Sequence, residues 1–133
     1  MKRLGGVLCA AVALLSACSR PDDRTADGAV RAFAAAASRG DAQLVASMLD
    51  DRTLERLRVR AREASDLAGG GVDLTPVDLL AVGFEPPRME IAKTEVRAKK
   101  HGEAIVRVSG SDGPAVDVRL RSRLGRWKIV LDL

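Results

Sequence analysis

Apolar residues between positions 26 and 81 recur every three or four residues, the spacing of an amphipathic helix. A residue able to cap a helix stands before each such stretch, and Gly or Pro follows most of them. The pattern predicts a helix over 26–39 after Thr25, a short one capped by Asp41, a third capped by Asp50 or Asp51, and a fourth from Thr75-Pro76 to Ala81.

From Arg88 onward the apolar period changes to two, which is typical of strands. Lys100-His101-Gly102, Ser111-Asp112-Gly113 and Arg123-Leu124 before Gly125 are expected to be turns. Antiparallel pairing around these turns predicts one apolar face with three rows: Ala98, Ala104, Leu120 and Trp127; Val96, Val106, Val118 and Ile129; Thr94, Val108, Val116 and Leu131. Glu95, Arg107 and Asp117 alternate in charge on the opposite face. We therefore expect an α+β domain, with N-terminal helices packed on one face of a four-stranded antiparallel meander.

The first residues have the pattern of a bacterial lipoprotein signal. Lys2 and Arg3 precede sixteen uncharged residues, fewer than the roughly 20 that a membrane-spanning helix needs. The stretch ends in Leu15-Ser16-Ala17-Cys18, which resembles the lipobox of bacterial lipoproteins. That resemblance implies a signal peptide over 1–17, cleavage between Ala17 and Cys18, and diacylglyceryl on the Cys18 thiol. The alternative is an ordinary secretory signal with a chance Cys.

The lipobox resemblance also implies a location and a chain organisation. The protein would be a membrane-anchored lipoprotein of the cell envelope, and Ser19 after the Cys implies the periplasmic side of the outer membrane. Cys9 would leave with the signal, so no thiol would remain for a disulfide or a nucleophile. Residues 18–25 are expected to be a polar tether, and residues 26–133 the folded domain.

Three features resemble the nuclear transport factor 2-like superfamily across residues 26–133. They are the Ala-rich first helix, the corner Ser38-Arg39-Gly40-Asp41, and the terminal strand Gly125-Arg126-Trp127-Lys128-Ile129. The resemblance implies a cone or roll, with a pocket between helices and sheet in which Phe33 and Trp127 are candidate lining residues. This fold carries enzymes and binding modules alike, so it does not define a function.

Composition excludes several functional classes. Aromatic residues are 2% of the chain, and Tyr is absent, which argues against base-stacking surfaces. The net charge of +4 falls to +2 (20 basic against 18 acidic residues) once Lys2 and Arg3 leave, so we expect no nucleic-acid partner. We also expect no cofactor and no metal, because His101, the only imidazole, lies in a turn without orienting partners.

Glu90 is the one candidate for a catalytic base. Enzymes resembling ketosteroid isomerase need a pocket carboxylate and an acid, often Tyr, that stabilises the oxyanion. In an uninterrupted first strand Glu90 faces inward. A β-bulge near Ala92-Lys93 instead turns Met89 and Ile91 inward and Glu90 outward. Burying two apolar residues outweighs burying one carboxylate, so the bulge is favoured and no catalytic residue is expected.

Arg52, Arg56 and Arg60 align at i, i+4 spacing on the third helix. A solvated face, with Arg62 paired to Asp66, is the simplest explanation, and contact with anionic head groups is the alternative.

The expected function is a lipid-anchored, non-enzymatic envelope module that binds a small apolar ligand or a protein partner. The alternatives are an isomerase or dehydratase using Glu90 and a purely structural interaction protein.

Overall fold

The computed structural model describes residues 22–83 and 90–133. Four helices precede a four-stranded antiparallel sheet in the order β1-β2-β3-β4, so the α+β fold with an N-terminal helical half is confirmed. The elements are α1 (Ala26–Ser38), α2 (Ala42–Ser47), α3 (Asp51–Leu67), α4 (Pro76–Gly83), β1 (Ile91–Lys100), β2 (Glu103–Gly110), β3 (Val116–Arg123) and β4 (Arg126–Val130).

Several sequence predictions lie outside the described residues. They are the signal peptide over 1–17, the acylated Cys18 with Ser19, and the inward turn of Met89. Within residues 22–83 and 90–133, no helix is long and apolar enough to cross a membrane.

The helices begin where the sequence predicts. Thr25 Oγ1 accepts a hydrogen bond from the Gly28 amide at 3.2 Å, and Asp41 Oδ1 accepts one from the Leu44 amide at 3.0 Å. Asp50, rather than Asp51, caps α3 by accepting from the Thr53 amide at 3.0 Å. These side chains satisfy amide groups that the first helical turn leaves without partners, so each helix has a defined start.

α1 packs across one face of the sheet, against β1, β2 and β4. Its buried alanines, among them Ala29 and Ala36, permit a close approach to the fully buried Val106 and Ile129. The segment after α2 extends the sheet, because the Ile129 amide donates to the Met48 carbonyl at 2.8 Å and the Asp50 amide to the Ile129 carbonyl at 2.9 Å. This parallel bridge covers the β4 edge, and the sequence did not predict it.

The predicted register between β1 and β2 is correct only in part. Val96 pairs with Val106, but an irregularity between Val96 and Ala98 places Lys99, not Ala98, opposite Ala104. The extra residue turns Ala98 away from the apolar face. Lys99 takes its place, with Nζ 5.5 Å from the centroid of the Trp127 ring.

The predicted register between β3 and β4 is wrong by two residues. Leu120 pairs with Ile129 and Ser122 with Trp127, because the turn is Leu124-Gly125, one residue later than expected. Both turn residues have positive φ, 52° and 75°, as a two-residue type I′ turn requires, and glycine favours this conformation at its second position. A slip of two keeps every side chain on its predicted face, so Trp127 and Ile129 are still buried.

Candidate functional site

A cavity of about 170 Å³ lies between α1 and the covered face of the sheet. It is lined by Val30, Phe33, Ala34, Ala37 and Ser38 from α1, and by Ile91, Val108, Val116, Val118, Ile129 and Leu131 from the strands and the chain end. Among the described residues that line the cavity, Ser38 is the one polar residue. Its hydroxyl donates to the Ala34 carbonyl at 2.8 Å, so it is satisfied within the helix.

The cavity follows from the difference in side-chain size between the two layers. Ala34 and Ala37 are two of the α1 residues that line the cavity, and their side chains are too short to fill the space between helix and sheet. The facing strand residues are mostly β-branched, and their stiff side chains do not extend to compensate. Val116 is 47% exposed, so the cavity reaches the surface at β3. No ionisable side chain is among the described residues that line it.

The three predicted pocket residues are in different places. Phe33 lines the cavity. Glu90 is exposed and outside the lining, since the expected bulge is present: Ile91 pairs with Gly110 while Lys93 pairs with Ser109. Ile91 therefore faces the cavity in its place.

Trp127, the third candidate pocket residue, lies outside the lining of this cavity. Trp127 is 6% exposed and belongs to the core, outside the cavity lining. The two-residue slip of β4 moves it toward the β3–β4 turn, where its amide donates to the Asp23 carbonyl at 2.7 Å. Asp23 was expected in the polar tether but is buried, and its carboxylate accepts from Arg126 at 2.8 Å.

Arg52, Arg56 and Arg60 form the arginine stripe of α3. All three are exposed, as is expected of a solvated helix face. Arg56 donates to the Leu131 carbonyl at 2.6 Å, which ties the helix to the chain end. The expected pair of Arg62 with Asp66 is wrong, because Arg62 lies 3.6 Å from Glu55, two turns earlier. Arg52 and Arg60 have no ion-pair partner within residues 22–83 and 90–133.

The outer face of the sheet carries the predicted alternation of charge. Glu95, Arg107 and Asp117 lie in register across β1, β2 and β3. Arg107 donates to both Asp117 oxygens, at 2.8 and 3.0 Å, and these hydrogen bonds lower the pKa of the Asp117 carboxyl and raise that of Arg107. The pair is exposed and is not part of the cavity lining, so it stabilises the sheet and does not contribute to the cavity.

Other candidate chemistry is dispersed. His101 is exposed in the β1–β2 turn with φ 49°. The part of the chain that the structure describes contains no group of three His, Cys, Asp or Glu residues that could hold a metal ion. Sequence reasoning missed Ala34 as a lining residue, whereas the favoured bulge correctly predicted that Ile91 turns inward. The spacing of Val30, Phe33, Ala34 and Ala37 along α1 is the signal that could have identified this face.

Comparison of the chain with family models, curated proteins and solved structures gives no match.

Proposed function

We propose that the protein is a lipid-anchored envelope protein that binds a small apolar ligand between α1 and the sheet. The observation that carries this proposal is the apolar cavity of about 170 Å³. An engineered apolar cavity of about 150 Å³ stays dry and binds benzene or xenon. Pockets for drug-sized ligands measure about 300–1,000 Å³, so the ligand class is a single hydrocarbon ring or the end of an alkyl chain.

The anchor in this proposal rests on Leu15-Ser16-Ala17-Cys18. Acyl chains on Cys18 would hold the domain at the periplasmic face of the outer membrane. A protein held there meets apolar molecules that partition into the bilayer, which suits the chemistry of the cavity. The resemblance to the nuclear transport factor 2-like superfamily remains a prediction, in which the cavity would be the pocket of the cone.

The isomerase alternative rested on an inward Glu90. Since Glu90 is exposed, that alternative lacks its proposed base. The described lining contains neither a carboxylate nor a hydrogen-bond donor free to stabilise an oxyanion.

Native mass spectrometry of the protein purified from membranes tests the proposal. We expect an acylated chain beginning at Cys18, with a non-covalent apolar adduct that dissociates on collisional activation. Ala34→Leu should fill the cavity and remove the adduct, because Ala34 lines it. Ala35→Leu is the matched control, since Ala35 is an exposed residue of the same helix. No adduct on the wild-type protein, or equal adducts on both variants, would contradict ligand binding in this cavity.

A further inference from the structure

We propose that the β3–β4 turn inserts into the membrane surface, with Leu124 entering the apolar boundary of the bilayer and neighbouring basic side chains facing anionic lipid head groups. This inference rests on the lipid anchor of the proposed function. It adds which end of the domain faces the bilayer and which residues contact it.

Leu124 is explained neither by backbone preference nor by packing. It is 94% exposed and has a φ of 52°, in the left-handed region that β-carbon-bearing residues other than Asn, Asp and His rarely adopt. Two-residue turns of this type favour Asn-Gly, Asp-Gly or Gly-Gly. An observed backbone outlier of this kind, at the tip of a hairpin, is grounds for inferring a role outside the domain itself.

The N-terminal chain joins the domain at the same end of the sheet. Asp23 is hydrogen-bonded through its carbonyl to the Trp127 amide and through its carboxylate to Arg126, the residue two positions after Leu124. The chain is also packed closely before this point, because a β-carbon on Gly28 would lie 2.5 Å from the Asp22 carbonyl oxygen.

The position of Asp23 limits how far the turn can lie from the lipid. Cys18 precedes Asp23 by five residues, and a fully extended chain of that length spans about 17 Å. Acyl chains on Cys18 therefore hold this end of the domain within that distance of the bilayer.

Basic side chains surround the turn. A surface depression beside Leu124 is lined by five of them: Arg52, Arg121, Arg123, Arg126 and Lys128. Its acidic residues are Asp50, Asp51 and Glu103, and Asp23 pairs with Arg126. Five cations against four carboxylates leave a net charge of +1. Head-group attraction is therefore modest, and the insertion depends mainly on Leu124 and on the anchor.

The ion pairs hold the basic side chains in fixed orientations but leave them accessible to solvent. Arg121 lies 2.9 Å from Asp50, and Arg123 pairs with Asp51 while its side chain stays 65% exposed. Arg52 has no ion-pair partner among the described residues, and it also begins the arginine stripe of α3. The charged surface is thus continuous from the turn to that stripe.

Site-directed spin labelling of the full lipidated protein in phosphatidylethanolamine–phosphatidylglycerol vesicles tests the inference. The acylated chain would hold no free thiol, so Leu124→Cys introduces a single labelling site. Asp112→Cys is the control, because Asp112 is exposed in the β2–β3 turn at the opposite end of the meander. We expect the collision ratio of oxygen to a water-soluble nickel chelate to rise severalfold at position 124 on adding vesicles, and to stay constant at position 112.

The results of this experiment distinguish a failure of the inserted-turn proposal from a failure of the lipid-anchor proposal. An acyl mass on Cys18 together with a water-exposed label at position 124 overturns the inserted turn and leaves the anchor in place. Absence of the acyl mass, with a second thiol that reacts with the label, overturns the anchor and the inference together. On pure phosphatidylcholine vesicles we expect a modest decrease in the collision ratio at position 124, because the basic residues contribute only part of the attraction. An unchanged collision ratio overturns the role of the basic residues and leaves the insertion of the turn in place.

Discussion

The Asp23 carboxylate and the Arg126 guanidinium, 103 residues apart in sequence, meet at 2.8 Å. Asp23 is buried, whereas the Arg126 side chain is 46% exposed. The pair connects the start of the domain to the first residue of β4. Sequence reasoning placed Asp23 in a polar tether because a run of charged residues lacks the apolar period on which core predictions depend.

Removing the Asp23 carboxylate should destabilise the domain measurably. A hydrogen bond to a charged group contributes about 1.5–3 kcal/mol, and we expect the lower end for Asp23→Ala because water can solvate the half-exposed Arg126. Asp22→Ala is the matched control, at an exposed neighbouring position, and should stay within about 0.5 kcal/mol. Urea unfolding of residues 19–133 measures both. Equal stabilities of the two variants would show that the pair contributes nothing.

Cys18→Ser should release the protein from the membrane. Each buried methylene of an acyl chain contributes about 0.8 kcal/mol, so two or more chains supply most of the anchoring free energy. Fractionation after a high-salt wash measures this release. Cys9→Ser is the control and should remain anchored, because Cys9 lies within the predicted signal. If the Cys18→Ser protein stays with the membrane and retains residues 1–17, a signal-anchor replaces the lipoprotein interpretation.

Trp127→Ala should be among the most damaging single substitutions. Truncating a buried aromatic side chain costs about 3–5 kcal/mol, and Trp127 is 6% exposed within the core. Leu124→Ala, three residues earlier and 94% exposed, should stay within about 0.5 kcal/mol in the absence of lipid. Thermal unfolding compares the two. An unchanged melting temperature for Trp127→Ala is incompatible with its place in the core.

Most of the fold could be predicted because its determinants are local. Thr25, Asp41 and Asp50 start their helices through hydrogen bonds to amides three residues away, a spacing that is visible in the sequence. The faces of β2, β3 and β4 follow from alternation alone. A β3–β4 slip of two residues therefore left Trp127 and Ile129 on the predicted side.

The Lys99–Trp127 contact and the cavity could not be predicted, because they depend on strand register and on interlayer distance, which hydrophobic periodicity does not specify. The irregularity after Val96 brings Lys99 over Trp127, although nothing in the charge pattern distinguishes Lys99 from its neighbours. The cavity depends on the distance between α1 and the sheet. An Ala-rich helix could equally have approached the strands more closely, and the sequence does not say by how much.

Acid should weaken the contribution of the Arg107–Asp117 pair. Arg107 lowers the folded-state pKa of the Asp117 carboxyl below its ordinary value of 3.8. The stabilisation is therefore complete above that value and is lost as the pH falls through the lowered pKa. Asp117→Asn should be less stable than the wild type at neutral pH, and the difference should shrink in acid. Urea unfolding across this pH range measures the difference, with Asp112→Asn as the control because Asp112 is an exposed turn residue with no ion pair among the described residues.

The most direct measurement of ligand binding is a benzene titration of residues 19–133, followed by methyl NMR. We predict saturable shifts of the Val30, Val108 and Val118 methyl signals, because these side chains line the cavity. The Val72 methyl signals should not move, since Val72 is exposed and outside the lining. Unmoved signals from the three lining valines, or shifts as large at Val72, would contradict an apolar binding site between α1 and the sheet.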